Sequence, residues 1–256
     1  MASVAAVALS ACGGSGSGLS LDPVAGAASK TMRSSGEKVE LRATLWTGRD
    51  WARRNWWGSM LGGGVMTSKA ADLTLDVSPL EGPSFTVREV YVLEASGPVI
   101  YFSSPRLSPQ LPRDKRWLRI DVAKIMKREL GTKTRLPQMN DPSQFLRLLR
   151  SRGLRPEKRG EETIDGQKAV RYHVDVDVAK ALKNAGISKA GARLLRQQLN
   201  STTVPIDVWV DEDGYLRREH LKLAARPFTV TLTMTLSDFG RDVSIEPPPR
   251  ASSVDA

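Results

Sequence analysis

Asp175 and Asp177 lie two residues apart in a run where Val170, Tyr172, Val174 and Val176 alternate with polar positions. On a strand that spacing turns both carboxylates to one face, the arrangement a paired general acid and base would need. Asp177, however, immediately precedes a helical pattern and is better used as its N-cap. Asp211-Glu212-Asp213-Gly214 opens like a calcium loop but lacks the Asp-x-Asp-x-Asp-Gly spacing and the distant Glu, so it reads as a hairpin turn. Two histidines, His173 and His220, with one cysteine cannot build a His/Cys zinc cluster or a disulfide framework. Most thiol and Ser-His-Asp chemistry is excluded with them. Glycine-rich phosphate loops and paired metal ligands are also missing from the sequence, so neither an enzyme nor a cofactor is expected.

The cysteine itself carries a different chemistry. Cys12 ends the run Leu9-Ser10-Ala11-Cys12, follows a short apolar stretch and opens the tract Gly13-Gly14-Ser15-Gly16-Ser17-Gly18. This resembles a bacterial lipoprotein signal, in which small residues fit the peptidase and the thiol becomes thioether-linked to a lipid. The resemblance implies a signal remnant over 1–12, lipidation at Cys12 with palmitate-type chains, and a flexible tether over 13–20 that holds a domain off the extracytoplasmic face of the cell membrane. Residues 1–11 contain no Lys or Arg, and their apolar run falls short of the roughly 7–15 residues of a complete signal. A mis-assigned start accounts for both; a disordered N-terminus with an unmodified cysteine is the alternative. In a bacterial exported chain the sequon Asn200-Ser201-Thr202 is a chance match.

Charge is the second informative property. The chain of 256 residues carries a net charge of +10, and residues 113–159 hold 15 Lys/Arg against 5 Asp/Glu, which accounts for all of it. A local excess of this kind suits a surface facing phosphate, and beside a membrane the phosphate is that of anionic lipid, not nucleic acid. Arg113, Lys115, Arg116, Lys124, Lys127, Arg128, Arg147 and Arg150 are the headgroup candidates. Solvated outer faces of Arg-rich helices are the other reading. Four of the six tryptophans, Trp46, Trp51, Trp56 and Trp57, fall within a dozen residues; they fit ordinary strand packing, a sugar-stacking surface or a membrane-interface platform.

These residues need a scaffold, and the pattern predicts one. Asp22 as cap, Pro23 at the first turn and Gly36 beyond the end predict a helix over 21–35. Val39, Leu41, Ala43 and Leu45 then alternate with polar residues, and Gly62-Gly63-Gly64 is expected to break the chain. Alternating runs over 73–77, 85–93, 99–102 and 117–120 predict an antiparallel meander. Helices are expected after Asp121 (Val122, Ile125, Met126 inward), after Asp141-Pro142-Ser143-Gln144 (Phe145, Leu148, Leu149 inward, Gly153 the stop), and over 178–185 and 189–199. Asp165-Gly166 and Asp213-Gly214 signal hairpin turns. Two strands are the clearest: Val204, Ile206, Val208, Val210, and Phe228, Val230, Leu232, Met234, Leu236, the latter alternating with Thr229, Thr231, Thr233 and Thr235. Residues 21–246 form one domain, and the Pro247-Pro248-Pro249 tail over 247–256 is expected to be disordered.

Gly160-Glu161-Glu162-Thr163-Ile164-Asp165-Gly166, Val204-Pro205-Ile206-Asp207-Val208-Trp209-Val210-Asp211 and Leu236-Ser237-Asp238-Phe239-Gly240 resemble segments of LolA-like exported lipoproteins, including the LppX/LprG-type group. The resemblance implies an α+β fold: a strongly curved antiparallel sheet, a half-barrel, whose concave face is closed by helices over an apolar cavity. It also implies a carrier of a lipid or lipoglycan, with no ligand residue transferable because binding depends on cavity shape. The apolar rows of the two clearest strands are the cavity candidates, with an ordinary filled core as the alternative. The competing function is a non-enzymatic structural or interaction lipoprotein that docks an envelope or signalling partner.

Overall fold

The computed structural model describes residues 22–47, 55–95, 97–122, 155–180, 201–225 and 228–256, with the single positions 124, 193 and 199; the side chains of 55, 56 and 225 are excepted. Among the described residues it shows helix α1 (Pro23–Thr31) and twelve strands: β1 (Glu37–Thr47), β2 (Asn55–Met66), β3 (Ala70–Pro79), β4 (Phe85–Glu94), β5 (Gly97–Ser103), β6 (Trp117–Asp121), β7 (Glu157–Ile164), β8 (Gln167–Asp177), β9 (Thr203–Asp211), β10 (Leu216–Ala225), β11 (Phe228–Ser237) and β12 (Ser253–Asp255). All twelve lie in one sheet in the order β12-β6-β5-β4-β3-β2-β1-β11-β10-β9-β8-β7. The fold over the described residues is a large, open, curved and mostly antiparallel sheet. The helices predicted within 123–154 and after residue 180 fall outside the described residues.

Two hairpin meanders, β1 to β6 and β7 to β11, meet at the β1–β11 pair, where Val39 faces Leu236 and Leu45 faces Val230. The first strand of the chain therefore lies in the centre of the sheet. Helix α1 is started as its sequence requires: the Asp22 carboxylate accepts from the Val24 and Ala25 amides at 3.0 and 3.1 Å, and Pro23 occupies the first turn. It stops at Thr31, earlier than the predicted Ser35, because Ser34 and Ser35 turn to bond Gly36 and Arg241.

Two expectations are corrected. Gly62, Gly63 and Gly64 do not break the chain but lie inside β2, paired with Leu41, Glu40 and Val39 on one side and Leu75, Thr74 and Leu73 on the other. A Cβ on any of them would collide with a backbone carbonyl, of Thr74, Val39 or Asp72 respectively. Glycine here permits close approach of three strands. The tail is also ordered. Ile245 packs on the cluster of Val90, Val92, Val99 and Tyr101 on the face opposite α1, and β12 then pairs in parallel with β6. Asp255 meets the buried Arg119 guanidinium at 3.3 Å and Arg250 at 3.0 Å. Composition alone missed this because the stabilising contacts are with strands more than a hundred residues earlier.

An open sheet has two edges that must avoid pairing with other chains. On one side β12 covers β6. On the other, β7 is exposed along nearly its whole length and carries Glu157, Lys158, Arg159, Glu161 and Glu162, with an irregularity in pairing at Lys158/Gly160.

Candidate functional site: an apolar face sealed at one end

Strand register assigns every side chain of the sheet to one of two faces. Across the centre, Ile206, Leu221, Leu232, Ala43, Met60, Val77 and Phe85 form one row on a single face. Parallel rows run above and below it, so that face is apolar from β6 to β8 and joins α1 in one cluster. The nine cavity candidates of β9 and β11 all point to this face. Thr229, Thr231, Thr233 and Thr235 point to the other.

Exposure along this face is graded. Where β1 begins, Val39, Leu236, Met66 and Ala71 are 0–1% exposed. Toward the other end of the same strands, Leu45, Val230, Leu232, Leu223, Met60, Val77 and Phe85 are only half-buried, and Phe228 is 38% exposed. Helix α1 packs at the buried end, against β9 and β10. Its Val24, Ala27 and Ala28 are buried, Thr31 Oγ1 accepts from the Leu216 amide at 3.0 Å, and Lys30 reaches the Asp213 carbonyl and lies 4.2 Å over the Tyr215 ring. Tyr215 stacks on Phe239 with ring centroids 4.4 Å apart. Among the described residues, the face is therefore covered by α1 at one end and less deeply buried at the opposite, open one.

Three carboxylic acids sit among these apolar rows. Glu37 is 1% exposed and Glu219 2%. Neither Glu219 oxygen has a hydrogen-bond partner among the described residues; Glu37 Oε2 has none either. Burial pushes Glu219 up to about 8, and Glu37 and Glu89 each up to about 7. Sequence reasoning missed them, yet the signal is present: Glu37-x-Val39-x-Leu41, Val87-x-Glu89-x-Tyr91 and Glu219-x-Leu221-x-Leu223 place each glutamate in phase with the inward residues.

On the face opposite α1, a polar group gathers around Asp207. His173 Nδ1 lies 2.7 Å from Asp207 Oδ1, and Arg171 donates to Asp207 Oδ2 at 2.7 Å. Burial raises the Asp207 pKa, but the hydrogen bonds from Arg171 and His173 outweigh it and hold the carboxyl below its ordinary value. Beside them a shallow cleft of about 240 Å³ is lined by Arg155, Glu157, His173 and Asp175. Asp175 does share a face with His173, whose Nε2 it approaches at 3.7 Å. Asp177 instead accepts from the Lys180 amide at 2.9 Å, as a helix cap does. Among the described residues no group of His, Cys, Asp or Glu has metal-site geometry.

The headgroup candidates separate. Arg113, Lys115 and Arg116 lie between β5 and β6 at the open end; Arg113 and Arg116 are exposed, while Lys115 bonds the Ala251 carbonyl at 2.7 Å. Lys124 lies at the opposite end, its amide bonded to Asp121. Lys127, Arg128, Arg147, Arg150, Cys12 and Trp51 fall outside the described residues.

No family model matches this sequence. Over 122 residues it is 29% identical to an uncharacterized 31.2 kDa protein in the rplA–rplJ intergenic region of Streptomyces griseus, covering 46% of this chain and 40% of that one. The chain therefore spans less than half the length of the curated relative it matches. In structure it is similar to LprF from Mycobacterium bovis (12% identity, 88% of this chain and 95% of that one, TM-score 0.46). It is similar also to the lipoprotein LppX of Mycobacterium tuberculosis (15% identity, 88% and 100%, TM-score 0.44) and to a putative outer membrane lipoprotein-sorting protein domain from Vibrio parahaemolyticus (10% identity, 86% and 92%, TM-score 0.35).

Proposed function

We propose that this chain is a non-enzymatic binder or carrier of an envelope amphiphile, a lipid or lipoglycan, whose acyl part lies along the open half of the apolar face. One observation carries the reading: exposure increases along the strands of that face from the α1 plug to the opposite end. Each methylene withdrawn from water contributes about 0.8 kcal/mol. A long chain therefore binds without dedicated polar partners, and polar groups serve only to orient it.

Native mass spectrometry of the chain purified without detergent tests this: a co-purifying amphiphile supports it. Leu232→Arg, which sets a charge in the half-buried part of the face, should weaken uptake of an environment-sensitive apolar dye at least tenfold, about 1.4 kcal/mol. A chain that is always empty and ignores the dye would sink the carrier reading. The fully packed rows around Val39, Leu236 and Val208, each at 0% exposure, favour the second reading, in which the face is filled core and the protein docks an envelope partner.

Anchoring through Cys12 belongs to the same proposal, since a tether would hold the open end near the membrane. Cys12→Ala should move the chain from the membrane fraction to the soluble one; retention in the membrane fraction would remove the anchor.

A further inference from the structure

Among the described residues, three of the five large hydrophobic side chains that stand exposed lie at the open end of the sheet: Trp57 (48%), Leu80 (54%) and Phe228 (38%). They are neighbours in space although they belong to three different hairpins. Trp57 is the extra residue where the β1–β2 register shifts, which turns it out of the row. Its ring meets Phe228 edge-on with centroids 6.4 Å apart, and its carbonyl accepts from the Leu80 amide at 2.7 Å. At the α1 end, where β1, β3 and β5 begin, the one large exposed hydrophobic residue among those described is Leu93.

One segment at the same end is basic. Segment 104–116, which joins β5 to β6 there, contains Arg106, Arg113, Lys115 and Arg116 against Asp114 alone. Arg113 and Arg116 are exposed. Arg106 donates to the Pro83 carbonyl at 2.6 Å and lies 4.2 Å over Phe85, tying this basic segment to the β3–β4 turn that carries Leu80.

We propose that this end is a membrane-docking rim: Trp57, Leu80 and Phe228 enter the interface of a bilayer while Arg113 and Arg116 meet anionic headgroups. Aromatic and aliphatic side chains gain by insertion, and tryptophan sits well at headgroup level because its ring is apolar and its N–H is wet. Each arginine held near an anionic surface strengthens binding roughly fivefold, an effect that falls off within a Debye length. The charge complementarity selects a lipid surface as the occupant. The proposal deepens the carrier reading, since the rim surrounds the opening through which an acyl chain would pass; it rests on that reading only for its purpose, not for its binding.

The full chain carrying Cys12→Ser, so that no attached lipid contributes, is floated with phosphatidylcholine vesicles with and without phosphatidylglycerol. Binding to the anionic vesicles, weakened by salt, is expected. Trp57→Ala with Leu80→Ser should reduce it at least about tenfold, and Arg113→Gln with Arg116→Gln should reduce it and flatten its salt dependence. Both pairs are exposed, and unfolding transitions matching the parent's establish that they remain folded. No binding by the parent, or binding by both double variants as strong as the parent's, overturns the proposal. So does loss of a dimer in Trp57→Ala with vesicle binding unchanged, which would make the rim an interface between copies. A chain that docks but takes up no apolar dye leaves the rim intact and removes the carrier reading; one that takes up dye but never docks does the reverse.

Discussion

At pH 8, Glu219→Gln unfolds at a higher temperature than the parent, and at pH 5 most of the advantage is gone. The cause is a carboxylic acid in an apolar row, opposite Met234 on β11 and Val208 on β9, with no counter-charge among the described residues. In the unfolded chain Glu219 releases its proton near 4.5; in the fold, burial pushes it up to about 8. Below pH 4.5 both states hold the proton and nothing is lost. As pH rises toward 8 only the unfolded state ionises, so that state gains and stability falls across the window. The interval corresponds to a loss on the order of 3–5 kcal/mol, or roughly 6–20 °C for a domain of this size. Glu37 and Glu89, each pushed up to about 7, act in the same direction over a narrower range. Thermal unfolding of parent and variant at the two pH values checks this. A constant difference between them would mean that Glu219 is ionised or partnered in the fold.

Gly64→Val is expected to abolish folding or to cost at least about 4 kcal/mol, the upper range for single substitutions. A side chain at this position drives into the Asp72 carbonyl of β3, and that carbonyl belongs to a paired backbone that cannot step aside without breaking the ladder. Even Gly64→Ala carries the collision, because the offending atom is Cβ itself. Gly166→Ala in the β7–β8 turn is the control: a Cβ there meets nothing within 4 Å, and its φ of +79° brings only the modest cost of a left-handed alanine. Denaturant unfolding distinguishes the two, and equal midpoints would show that β2 can shift.

Much of the sheet was legible because period-two alternation reports directly on a half-buried strand. Val204 to Val210, the threonine-lined β11 and the hairpin at Asp165-Gly166 follow from it. The parts that were not legible have two physical sources. Gly62-Gly63-Gly64 has no side chains to alternate, so the pattern is silent where close backbone approach is the requirement. The tail is held by Ile245 against β4 and β5 and by Asp255 against Arg119, contacts that no local window contains. For the candidate site, the inward rows were readable strand by strand. Their joining into one face, the plug at one end and the aromatic rim at the other depend on which strand ends come together, and strand order lies outside what periodicity encodes.

The position of β1 in the middle of the sheet bears on how the chain reaches its folded state. Strands β1 to β6 are joined by short hairpins through β5, and can zip up soon after they are made. Strand β1 then has one bare edge, because residue 39 must wait for residue 236 and α1 for the turn at residues 212–215. Closing so distant a contact is entropically slow, and until then two half-sheets each present an unpaired, apolar-backed margin open to misassembly. The β1–β11 seam is the step at which a holding chaperone, or translocation of an unfolded chain, would matter most to this protein.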